Sequence, residues 1–204
     1  MANIAVLGHG VVGSGVLEVL TSHAASIAKR AKEEIHVKYI LDLKEFPGLP
    51  YSDRFTKDFN VILNDPEVQI VVEVMGGLHP AYDFVKACLE NGIPVGLGTD
   101  TGCPYITHYD MWRELCYFVK YCGVTPAFAL YSATLLNAEL AGISDITGSV
   151  EPGKAADLIV CDRDPLADLT ALRSLHMVIK DGLRIQRPAV KKMPEVEREL
   201  DKFL

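Results

Sequence analysis

Between Leu7 and Val16 the chain reads Gly8-His9-Gly10-Val11-Val12-Gly13-Ser14-Gly15. The apolar run Ile4-Ala5-Val6-Leu7 precedes it, and Val16, Leu17 and Leu20 follow at helical spacing. That order predicts strand, tight glycine turn, helix. The three glycines differ in what they permit. Gly8 turns the chain, Gly10 lets backbone approach a pyrophosphate, and Gly13 lets the helix pack close to the strand. Free N–H groups at the helix start, on the positive end of its dipole, then face the phosphates. Glycine turns between strand and helix also occur where nothing binds, so the surrounding pattern has to decide.

The surrounding pattern fits a dinucleotide. A second strand runs from Ile35 to Leu41 and ends in Asp42, the separation at which such a unit places the acid that holds the adenosine ribose. Lys44 lies two residues on and could answer a 2′-phosphate instead, so NAD and NADP both stay open. A further strand, Gln69 to Val74, is a near-continuous apolar run of the kind parallel sheets bury on both faces. Met75-Gly76-Gly77-Leu78-His79-Pro80 follows, then a helix over 81–90 stopped by Asn91-Gly92. Ligands of open α/β sheets lie outside the carboxyl ends of the strands. Gly76 and Gly77 are therefore expected at the same crevice as the first turn. The candidate cofactor-binding set is Gly8, His9, Gly10, Val11, Val12, Gly13, Asp42, Lys44, Met75, Gly76 and Gly77.

Composition narrows the alternatives. With 27 acidic against 20 basic residues and a formal charge of -7, there is no global positive field to hold a polyanion, and nucleic acid is not an expected partner. No apolar run approaches the roughly 20 residues that cross a bilayer, so no membrane partner and a cytoplasmic location are expected. Cys88, Cys103, Cys116, Cys122 and Cys161 form no C-x-x-C pair and read as reduced, mostly buried thiols. The six histidines show no i, i+4 pair, so no metal is expected. No Gly-x-Ser-x-Gly elbow is present, and no residue stands out as catalytic.

Two stretches carry family resemblances. Residues 1 to about 95 resemble the NAD(P)-binding half of homoserine dehydrogenase. The matching pieces are Gly8 to Val16, Ile40-Leu41-Asp42-Leu43-Lys44, and Val74-Met75-Gly76-Gly77-Leu78-His79-Pro80-Ala81. In that family these segments line the cofactor site, and a Thr-Ala-Asn-Lys segment and a long substrate domain follow. Here Pro94-Val95 leads instead into Gly96-Leu97-Gly98-Thr99-Asp100-Thr101-Gly102. Residues 96 to about 186 resemble the C-terminal end of a metal-dependent amidohydrolase of the imidazolonepropionase and prolidase type. That likeness rests on Gly98-Thr99-Asp100, Thr125 to Leu130, Ala138 to Gly142, and above all Gly148-Ser149-Val150-Glu151-Pro152-Gly153-Lys154-Ala155-Ala156-Asp157-Leu158-Ile159-Val160. The resemblance gives Asp100 the position of a metal-ligating aspartate, but one carboxylate cannot supply the three or four ligands a site needs.

Together these readings predict an α/β fold with a Rossmann-like, doubly wound, three-layer parallel sheet. The domain would have roughly five to six strands, in 3-2-1-4-5 order over its Rossmann part, and the extra C-terminal strands from the amidohydrolase-like segment would either extend the sheet or form a small antiparallel appendage. Residues 1–95 would form the nucleotide-binding half. Residues 96–204 would complete the same domain, joined through a strand from Ile93 to about Leu97. Helices are expected over 109–121, 126–140 and 166–172, strands over 158–161 and 177–179, and a charged surface helix in the tail. An unpaired edge strand or helix face could drive a homodimer. The whole is expected to be a chimera, engineered or recombined, with at most residual NAD(P) binding. An NAD(P)-dependent homoserine oxidoreductase and a metal-dependent amidohydrolase are the alternatives.

Overall fold

The computed structural model describes residues 1–102 and 104–204; Cys103 lies outside the described residues. Two compact units divide the chain, Met1–Ile93 and Pro94–Leu204.

In the first unit a parallel sheet forms in the order β3-β2-β1-β4. Its strands are β1 (Ala2–Leu7), β2 (Ile35–Leu41), β3 (Phe55–Thr56) and β4 (Val68–Glu73). The chain moves outward from β1 to β2 and β3, then returns to the other side of β1 for β4. The order thus reverses at β1, which is where a doubly wound sheet opens its crevice. Four helices accompany the strands: α1 (Val11–Ser22), α2 (Ala24–Ala31), α3 (Phe59–Leu63) and α4 (Ala81–Glu90). Ala5, Val6 and Ile40 are fully buried, and Ile4, Leu17 and Val37 complete the core with Val16, Leu20 and Val72 packed on it. The alternation Leu17, Leu20 against Ile4, Val6 is the helix-on-strand period that the sequence carries.

Beneath this core, Lys38 donates to Asp65 and to Glu67 (2.7 Å), tying β2 to the turn before β4. The Lys38 hydrogen bond is the main reason that the Asp65 carboxyl is held down to about 2.

The second unit holds α5 (Met111–Cys122), then α6 (Pro126–Tyr131), a π turn (Ser132–Leu136) and α7 (Asn137–Leu140). A small antiparallel sheet follows in the order β5-β6-β7, from β5 (Leu158–Cys161), β6 (Leu175–Lys180) and β7 (Leu183–Gln186). Trp112, Leu115 and Phe118 are the buried face of α5. The 3-10 turn Leu169–Arg173 buries Leu169 and Ala171. The tail forms α8 (Pro194–Leu200).

Several expectations shift. Among the described residues the strand expected from Ile93 to about Leu97 is not formed, so the parallel sheet holds four strands and lacks the fifth of the expected 3-2-1-4-5 order, while the late strands form the antiparallel appendage. Pro94 has no N–H to give a neighbour, and Gly96 and Gly98 weaken a strand. The backbone groups of Leu97 go to a side chain instead: its N–H donates to Asn137 Oδ1 (2.9 Å) and its carbonyl accepts from Asn137 Nδ2 (2.8 Å). A Cβ on Gly96 would come within 2.5 Å of that Oδ1, so glycine there leaves room for the amide. The helix expected over 166–172 is a shorter 3-10 turn over Leu169–Arg173. Strand β7 was not expected, although Asp181-Gly182 marks its hairpin: both residues have positive φ (49° and 80°), as a tight turn of this hand requires. Asp157 fixes that turn by accepting from the Asp181 N–H (2.8 Å) and from Lys180 Nζ (2.9 Å). Among the described cysteines, Cys88 is buried and Cys116, Cys122 and Cys161 are half-buried, with no disulfide joining any two of these four. No single helix among the described residues is long and apolar enough to cross a membrane.

Gly148 combines a left-handed backbone with a tight fit. Its φ is +96°, and a Cβ there would lie 2.6 Å from Ala138 Cβ. Gly148→Ala should therefore destabilise this unit by about 2 kcal/mol or more, from backbone strain and overpacking together. Trp112, the sole tryptophan of the chain, reports on this unit, and its urea transition should move to lower concentration.

Candidate functional site

The glycine turn sits at the carboxyl end of β1, at the strand-order reversal. Gly8 has φ +100°, and a side chain there would meet Met75 Cγ at 3.0 Å and the Val74 carbonyl at 3.2 Å. A Cβ on Gly13 would lie 1.9 Å from the Gly8 oxygen, so only glycine allows α1 to start this close to β1. Around Gly10 the space is open, with no atom within 4 Å of a built Cβ. Gly10 is the N-cap of α1, and no side chain caps the helix. The first N–H groups of α1 are thus left for solvent or for an anion. Val11 and Val12 are 92% and 61% exposed beside them.

Asp42, just past β2, is turned onto this loop. Its Oδ2 accepts from the His9 N–H (2.9 Å) and its Oδ1 from the Lys44 N–H (2.9 Å). Burial pushes the carboxyl up, but the two backbone N–H groups and the nearby Lys44 charge outweigh it and hold the group below its ordinary range. The His9 ring packs edge-on against Phe46 (4.5 Å between centroids), Phe55 (5.1 Å) and Tyr51 (5.9 Å), with Nε2 3.3 Å from the Tyr51 hydroxyl. Beyond Asp42 opens a cavity of about 430 Å³ lined by Lys44, Phe46, Ser52, Phe55 and Lys57 among others. Lys57 is paired with Glu45 at 2.8 Å, whereas the Lys44 ammonium has no ion-pair partner among the described residues.

At the carboxyl end of β4, the Met75 N–H donates to Glu73 Oε1 (2.6 Å), and Gly76 and Gly77 are exposed, the latter with φ +88°. The structure therefore brings Gly8, Gly13 and Met75 together, joins His9 to Asp42, and sets Lys44 on the cavity beyond. The sequence reading did not find the aromatic floor of Phe46, Tyr51 and Phe55, or Ser52, Lys57 and Glu73. The signal for the first three was the run of aromatics between β2 and α3, which carries no period.

Comparison with known proteins divides along the same lines. The model of the homoserine dehydrogenase NAD-binding domain matches residues 8–97. The amidohydrolase family model matches residues 78–185, just over half of the sequence. The chain belongs to the amidohydrolase family. Its first part is similar to the homoserine dehydrogenase NAD-binding domain, and the two family models overlap over residues 78–97. Homoserine dehydrogenase of Methylobacillus glycogenes is 28% identical over 162 residues, covering 77% of this chain and 36% of that protein. Imidazolonepropionase of Geobacillus thermodenitrificans is 33% identical over 123 residues, covering 53% and 28%. Among solved structures, a protein named as a prolidase, from Bifidobacterium longum, superposes with a TM-score of 0.58 and 40% identity, covering 60% of this chain and 30% of that one. The chain thus spans about a third of the length of these relatives.

Amidohydrolases of the resembled type imply a metal, and the residues present do not fit one. Asp100 is exposed, with a left-handed backbone (φ 50°). Among the described residues no three His, Cys, Asp or Glu side chains gather as a metal would need.

The Asp42 staple has a measurable signature. Because its carboxyl is depressed, the stability it gives is present above the ordinary carboxylate pKa of about 4 and is lost as pH falls below that value. Asp42→Ala should speed amide exchange at His9 and Lys44 at neutral pH, and it should flatten the acid dependence of the first unit's urea midpoint.

Proposed function

We propose that this chain is a recombined two-part protein whose activity is the binding of NAD or NADP by Met1–Ile93, and that neither part holds a complete catalytic set. The observation that carries the binding is the uncapped start of α1 at Gly10, open to an approaching phosphate where the strand order reverses. Gly8 to Gly13, with Met75, Gly76 and Gly77 across the crevice, would hold the pyrophosphate. Asp42 and Lys44 would face the adenosine ribose. A bound nicotinamide would supply hydride transfer; this chain's own residues supply the cradle.

After Val95 the dehydrogenase-like sequence gives way to Gly96-Leu97-Gly98-Thr99-Asp100. Within residues 1–204 an amidohydrolase-like stretch stands where the dehydrogenase-like part would lead into substrate-domain residues, which supports this reading. The two models share residues 78–97, which fits an exchange between equivalent strand–helix units.

Titration with NADH and NADPH, followed by nicotinamide fluorescence, tests the reading. The expected outcome is saturation with a Kd of about 1 mM or tighter, about -4 kcal/mol at the weak end. Gly13→Val, which drives a side chain into the Gly8 carbonyl, should abolish it. No saturable signal with either nucleotide would overturn the proposal, and turnover of homoserine or stoichiometric bound zinc would replace it with one of the two enzymatic alternatives.

A further inference from the structure

Residues 193–204 are held by ion pairs and by hydrogen bonds with Tyr109, Tyr117 and Tyr121 rather than by apolar burial. From α8 onward, the described residues place Val196 and Leu200 only half in contact, while Glu197 is buried (6% exposed). Glu197 and Asp201 reach two arginines. Arg113 Nη1 donates to Asp201 Oδ1 (2.7 Å), and Arg113 Nη2 lies 3.2 Å from Glu197 Oε2. Arg173 Nη2 donates to Glu197 (3.2 Å) and to Asp201 Oδ2 (2.9 Å). Both guanidinium groups stack on Trp112, at 4.4 Å and 5.2 Å from its ring. Asp110 takes the indole N–H (3.1 Å) and pairs with Arg113 Nε (3.4 Å). At the end of the chain Lys120 Nζ donates to the Phe203 and Leu204 carbonyls, both at 2.9 Å.

The network is incompletely satisfied. Arg113 Nε and Nη2 and Glu197 Oε1 are buried without an aligned hydrogen bond. Two guanidinium groups face three carboxylates, so the cluster carries a net negative charge when all are ionised. Buried charges of this kind gain little over their solvated forms, because the desolvation cost offsets the attraction. Opening the segment returns them to water, and its own apolar side chains Met193, Phe203 and Leu204 are already exposed.

We propose that residues 193–204 form a detachable strap, an acidic segment docked in cis on a site made by Arg113, Arg173 and Trp112, which opens while the rest of the second unit stays folded. The two arginines that hold the strap stack on Trp112, the sole tryptophan of the chain, so its opening is read by that ring. It is a property of the second unit, independent of dinucleotide binding by the first.

Tryptic cleavage after Arg198, inside α8 and protected while that helix is docked, measures the opening in the full chain. The double variant Glu197→Gln, Asp201→Asn should be cut there at least about tenfold faster than the parent, since cleavage follows the population of the open form. Trp112 emission should shift to the red, with far-UV circular dichroism keeping all but the signal of one short helix. Val196→Ala, which trims the apolar contact alone, should leave the rate near that of the parent. The proposal is overturned if the charge variant is cut no faster, if Val196→Ala opens the strap instead, or if the whole dichroism signal is lost together with the tryptophan shift.

Discussion

The contact between Gly13 and the Gly8 carbonyl governs the first unit. A chain leaving β1 must reverse into α1 within a few residues, and the helix can lie against the sheet only if its first turn passes the end of the strand at backbone distance. Any side chain at position 13 would sit 1.9 Å from that oxygen. Once the approach is made, Leu17 and Leu20 fall on Ile4 and Val6 and close the core. The same geometry leaves Gly10 at the open start of the helix. The requirement of packing and the capacity to receive an anion thus come from one turn.

Asp42 illustrates how a residue of one expected role can hold another. Its spacing from the glycine turn leads to the expectation of a ribose-binding acid. In the structure it also staples the turn to the end of β2, with one oxygen on His9 N–H and the other on Lys44 N–H. A carboxylate has about four lone-pair sites, so the staple leaves room for further acceptance. The loop and the acid are positioned by each other rather than separately.

The second unit replaces regular secondary structure by side-chain substitutes. Asn137 stands in for a strand neighbour at Leu97, Asp157 fixes the Asp181-Gly182 hairpin, and a two-arginine cluster seats the tail. Each stand-in is a polar group acting between residues far apart in sequence. Chain length and apolar periodicity carry no trace of such pairs, which is why strand Ile93 to about Leu97 was expected and β7 was not.

The sequence by itself determined the strand–turn–helix at the amino end, the parallel strands at Ile35 and Val68, the helix at Met111 and the likeness to two enzyme families. Those features rest on local periodicity and on glycines whose neighbours are a few residues away. Only the tertiary structure decided the short third strand, the aromatic floor around His9, the loss of a strand after Ile93 and the charged seat of the tail. These depend on contacts between distant residues, where burial and unpaired polar groups choose the partner, and no short window of sequence holds both sides of the contact.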